Sequence, residues 1–133
     1  MGRTMTIEDW RLQYGDGYII SHLYTQILMS VADILHVSPI SEIKVAAMIF
    51  LAYNLKTIYD RNTILEMFLD NFSVHIRHLP VITSEAEINR AIEVIYDVTG
   101  VLGEARPIEE DPIITDENLM TALGEFKEKM GWR

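Results

Sequence analysis

The sequence predicts an all-α protein: an up-and-down bundle of four helices with a further helix appended at the C-terminus. Two observations carry the prediction. Apolar residues recur at the i, i+3, i+4, i+7 step of a helix in successive segments. Those segments are punctuated by helix start and stop signals and joined by short connections, which favour antiparallel neighbours. At 133 residues the chain fits a single domain. We divide it into an N-terminal arm (1–16), a four-helix core (17–100), an acidic connection (101–115) and a C-terminal helix (116–130).

The arm, residues 1–16, is open between a short helix from Ile7 to Gln13 anchored by Trp10 and a strand. Gly15 and Gly17 then break the chain, with Asp16 between them as a cap. The segment 18–36 follows the helical step through Ile20, Leu23, Tyr24, Ile27, Leu28, Val31, Ile34 and Leu35. The next helix runs from Pro39 to Tyr59, with Ser38 as N-cap and Pro39 in the first helical position, where its missing N–H costs nothing. A third begins after Asp60-Arg61-Asn62. Thr63 and Glu66 have capping-box spacing, and Pro80 ends the helix by disfavouring helical geometry in Leu79. Ser84 and Glu87 open a fourth in the same way, and Gly100 closes it. In the last helix, Thr115 or Asp116 is the cap, Gly131 the stop, and Trp132 folds back as the apolar partner of the C-terminal cap.

The helix from Pro39 to Tyr59 stands apart. Val45 to Tyr53 is apolar at every position, so no polar stripe survives in its middle turns. Two explanations compete. Either the helix is wrapped on all sides by its own chain, or one face meets a second subunit or partner. In the second case Phe50, Ala47, Leu51 and Ile58 serve the core, and Val45, Ile49 and Ala52 form the interface of a homo-oligomer. The C-terminal helix offers a narrower stripe, Leu119, Leu123, Phe126 and Met130, which either packs locally or docks elsewhere, with Leu119, Leu123 and Phe126 as its interface candidates.

Composition narrows the chemistry. The net charge of −9 opposes direct binding to a nucleic-acid backbone. Residues 104–117 concentrate Glu104, Glu109, Glu110, Asp111, Asp116 and Glu117 against the single base Arg106. This is either a solvated linker or a strip, centred on Glu109, Glu110 and Asp111, that docks on a basic partner. The chain has no cysteine, which removes disulfides, thiolate metal sites and a cysteine nucleophile. The opening MGRTMTIEDW lacks the apolar core of a signal peptide, and the longest apolar runs fall short of the roughly 20 residues of a membrane span. A cytoplasmic protein that does not engage membranes is the expectation.

Catalytic motifs are absent. There is no phosphate-binding glycine loop, no nucleophile elbow and no calcium loop. The best enzyme hypothesis is a metal-dependent or His-assisted site. It draws on Asp33 and His36 near the end of one helix and on His75 and His78 near the end of another, each pair spaced i, i+3. Periodicity points these pairs away from each other, and histidines near a helix C-terminus are favourable without metal because they answer the macrodipole. No cofactor or catalytic residue is therefore assigned. The sequence is read as a small acidic protein that acts by protein–protein contact, as an adaptor, inhibitor or assembly component. The enzyme is one alternative. A structural subunit of a larger assembly, such as a viral particle, is the other.

Overall fold

A computed structural model describes residues 7–105 and 116–132, and within them the protein is all-α with no strand. Six α-helices follow in order: α1 (Ile7–Tyr14), α2 (Asp16–Ile34), α3 (Ile40–Leu55), α4 (Arg61–Arg77), α5 (Glu85–Val98) and α6 (Asp116–Lys129). A 3₁₀ turn, Thr99–Leu102, extends α5. No helix among the described residues is long and apolar enough to cross a membrane. Residues 1–6, 106–115 and 133 lie outside the described residues, and with them the expected strip Glu109, Glu110 and Asp111.

The helix ends follow local chemistry and correct several expected caps. The cap of α2 is Gly15, not Asp16; its φ of +90° suits glycine, and Asp16 is the first helical residue. The helix α3 starts one residue later than expected, with Pro39 as N-cap and its carbonyl accepting from Glu42 and Ile43. On α4 the cap is Asp60 rather than Thr63: its carboxylate accepts from the Thr63 N–H at 2.8 Å. That bond holds the Asp60 carboxyl below its ordinary range. Ser84 caps α5 as expected, accepting from the Glu87 N–H at 3.3 Å, while the Thr83 hydroxyl donates to the Glu87 carboxylate at 2.9 Å. Gly100 does not end the run. The chain tightens into the 3₁₀ turn and reverses at Gly103, where φ is +91°.

At the other terminus the expected cap is present. The Trp132 N–H donates to the Lys127 carbonyl at 2.7 Å and the Gly131 N–H to that of Glu128 at 3.1 Å, with Gly131 at φ +68°. The Trp132 ring meets Phe126 edge-on at 6.0 Å.

Packing answers the question raised by the apolar helix. From Val45 to Leu55 every residue of α3 is buried, because α2, α5, α6 and the 3₁₀ turn surround it. Asn54 is tolerated there because its amide donates to the Phe50 carbonyl at 2.8 Å. The helix α4 packs on α5 and α2, not extensively on α3, although only a short connection separates α3 from α4. The core helices thus neighbour one another in the order α2, α3, α5, α4, with α1 laid on α2 and α6 on α3 and α5. The helix α6 is tied down by Leu119, Ala122, Leu123 and Phe126, all buried. It is also held by an ion pair of Lys127 with Glu42 at 2.9 Å and by Arg90 donating to the Lys129 carbonyl at 2.8 Å.

Candidate interaction surface

The expected apolar interface is closed. Val45, Ile49 and Ala52 are each 0% exposed within the single chain, so none can meet a second subunit in this fold. The reason is the wrapping of α3 just described. Leu119, Leu123 and Phe126 are likewise spent on the chain's own core.

The histidine hypothesis fares no better geometrically. Asp33 and His36 are exposed at the end of α2, and His75 and His78 at the end of α4. Among the described residues no group of three or more His, Asp or Glu side chains gathers where it could hold a metal ion. His75 instead lies beside the rings of Phe72 and Tyr24, each at 6.4 Å, and His78 is the C-cap of α4.

A different constellation stands on the outside. Gly15 joins α1 to α2 through a single residue at positive φ, which folds α1 back onto α2. The Trp10 ring then stacks on Tyr14 at 5.2 Å, on Tyr18 at 5.7 Å and on His22 at 5.7 Å. Tyr14 meets Tyr18 at 4.7 Å, and Tyr18 stacks on His22 at 5.5 Å, with planes only 10° apart. Four aromatic side chains thus form one ladder. Tyr14 and Tyr18 are 49% and 38% exposed. Trp10 and His22 are half-buried beneath.

The ladder is braced from the bundle. The Tyr59 hydroxyl donates to the Asp16 carboxylate at 2.6 Å, the Arg11 Nε lies 3.9 Å from the same carboxylate, and the Arg11 guanidinium sits 5.6 Å from the centre of the Tyr59 ring. Burial, then the bond to Asp16 and its negative charge, pushes the Tyr59 hydroxyl up to about 12, against an opposing pull from Arg11. The tyrosine therefore stays a neutral donor at neutral pH.

Two further features lie away from these rings. Beneath the α4–α5 connection lies a half-open cavity of about 230 Å³ lined by Arg77, Ile82, Thr83, Ser84, Glu85 and Ile88. It holds no buried unpaired polar group. Inside the bundle, the Tyr24 hydroxyl is buried with no hydrogen-bond partner, and burial pushes it up to about 12. It faces the α2–α4 packing and offers no opening to a substrate.

The sequence marks Trp10 as an anchor but does not join it to Tyr14, Tyr18 and His22. The four residues recur at a four-residue step, but the step crosses Gly15, where α1 ends, so periodicity alone does not join them. No family model, no curated protein and no solved structure matches the chain.

Proposed function

We propose that this chain works by binding another protein, as an adaptor, inhibitor or assembly component, and that the aromatic ladder on α1 and α2 is its docking surface. One observation carries the reading: the rings of Trp10, Tyr14, Tyr18 and His22 are already packed together and partly exposed. Tyrosine and tryptophan are the residues in which binding energy concentrates at protein interfaces. Rings held in place before binding lose little freedom on binding, which leaves more of the contact energy as affinity. The acids of 104–117 add a longer-range, salt-dependent attraction for a basic partner.

The test compares capture by three full-length baits from the native source: wild type, Tyr14→Ala/Tyr18→Ala, and Val74→Ala. Val74 is 65% exposed on α4, away from the ladder, and serves as the control. A protein retained by wild type and Val74→Ala but lost by the double variant supports the reading. Proteins retained equally by all three remove the ladder from it.

A further inference from the structure

This inference rests on the docking reading above and names the chemical group that the partner brings. The chain treats its other half-exposed aromatic rings in one consistent way. Arg11 lies over Tyr59 at 5.6 Å. Lys56 and Arg61 lie over Tyr96 at 4.6 Å and 5.6 Å. Lys127 lies over Trp132 at 5.9 Å. Each of these rings is covered by a cation from the chain itself, attracted to the negative face of the π-system.

The ladder is treated differently. Among the described residues no lysine or arginine stands over Trp10, Tyr14, Tyr18 or His22. Arg11, the cation next to Trp10 in the chain, is engaged elsewhere, by Tyr59 and Asp16. Among the described residues, the most exposed aromatic side chains, Tyr14 and Tyr18, are thus ones over which no lysine or arginine stands. The chain as a whole has 11 basic residues against 20 acidic ones, so its field draws cations from outside.

We infer that the ladder receives an arginine side chain from a basic segment of the partner protein, stacked on the exposed rings of Tyr14 and Tyr18. Arginine fits better than lysine because its guanidinium is planar and weakly hydrated, so it stacks on an aromatic face at small desolvation cost. Nucleobases would also stack on such rings. Their phosphates would meet a net charge of −9, which opposes that occupant.

The test uses the full-length chain and isothermal titration calorimetry at about 150 mM salt, where charges beyond roughly 8 Å are screened. The probes are a short peptide alternating arginine and serine, the same peptide with lysine for arginine, and an oligothymidylate. The variant Tyr14→Leu/Tyr18→Leu keeps the net charge and most of the apolar area but removes the π-faces. The single variant Tyr14→Leu replaces it if circular dichroism shows the double variant misfolded. The expected result is that the arginine peptide binds more tightly than the lysine peptide and loses roughly three- to thirtyfold in affinity on the leucine variant. Equal affinity for wild type and leucine variant overturns the inference, because the field alone then explains binding. Oligothymidylate binding that disappears with the leucine variant overturns it in favour of base stacking. The docking reading is judged separately. A natural partner lost by Tyr14→Ala/Tyr18→Ala but kept by the leucine variant leaves the docking surface standing and removes the arginine. A partner kept by both removes both.

Discussion

Replacing Tyr24 by phenylalanine should make the protein more stable, the opposite of what most core substitutions do. Tyr24 is 8% exposed, its ring packs against Phe72 at 4.6 Å, and its hydroxyl is buried with no hydrogen-bond partner. An unpaired buried polar group costs about 1–3 kcal/mol of desolvation, whereas the phenylalanine ring fills nearly the same space without that cost. We expect a gain of about 1 kcal/mol at neutral pH, read as a rise of roughly 3–5 °C in Tm for a chain of this size. A second readout comes from alkali. Burial raises the folded hydroxyl from its ordinary 10 to about 12. Between those values the unfolded chain gives up the proton and the folded one keeps it. The unfolded state then binds fewer protons, so stability falls as pH rises from 10 towards 12. At pH 11 that loss is on the order of 1 kcal/mol for the wild type, and Tyr24→Phe is spared it. Urea unfolding followed by circular dichroism at pH 7.5 and pH 11 measures both effects. The gap between variant and wild type should widen at the higher pH. A variant weaker than wild type by about 1 kcal/mol at pH 7.5 would show that the hydroxyl is paired in solution and refute the reasoning.

Three further outcomes follow from the packing and the caps. Ile49→Glu places a carboxylate on the fully enclosed face of α3. It should cost more than about 3 kcal/mol in urea unfolding, and a folded variant of near-native stability would mean that α3 keeps an open face after all. Phe126→Ala should cost about 3–5 kcal/mol, because this ring, 1% exposed, is the main anchor of α6; limited proteolysis should then cut within α6, and a loss below about 1 kcal/mol would show α6 to be superficial. Ser84→Ala should cost about 1 kcal/mol through loss of the α5 cap, while Ser84→Asp should leave stability near the wild-type value. Thermal melts of the two variants that coincide would deny the cap any role.

The all-α class was legible because α2 and α5 carry regular apolar stripes, and because Ser84 with Glu87, and Gly131 with Trp132, are strong local signals. Such caps depend only on residues within one turn of each other. The start of α4 was less legible. Asp60 and Thr63 are both good capping residues, and Asp60 wins because its backbone is the one in the extended conformation that an N-cap requires. The apolar circumference of α3 announced a helix buried on all sides, but not which elements bury it. Two of them, the 3₁₀ turn and α6, arrive from distant sequence. Short connections also suggested that α3 and α4 lie side by side, whereas the apolar faces of both α2 and α5 stand between them. The aromatic ladder escaped for a related reason. The four-residue step is a rule within one helix, and Gly15 ends that helix. Trp10 reaches Tyr18 and His22 only because α1 folds back on α2, and no periodicity count contains that turn.

The burial of α3 restricts where the proposed protein contact can lie. Its most apolar helix, the obvious candidate for self-association, is consumed by its own core, so the surface left for contact is smaller and chemically different. That surface depends on a hairpin of α1 and α2 rather than on the bundle interior. The hairpin is held by Gly15, by the stack itself and by the Tyr59–Asp16–Arg11 brace, which ties the α1–α2 joint to the end of the α3–α4 connection. Trp10 and Tyr14 belong to α1, while Tyr18 and His22 belong to α2. Released from the brace, α1 would carry away two of the four rings, and the surface would no longer exist as a unit. Docking in this reading therefore requires the tertiary fold and not merely the residues. An isolated peptide covering residues 7–22, too short to hold a helical hairpin in water, should bind far more weakly than the full chain.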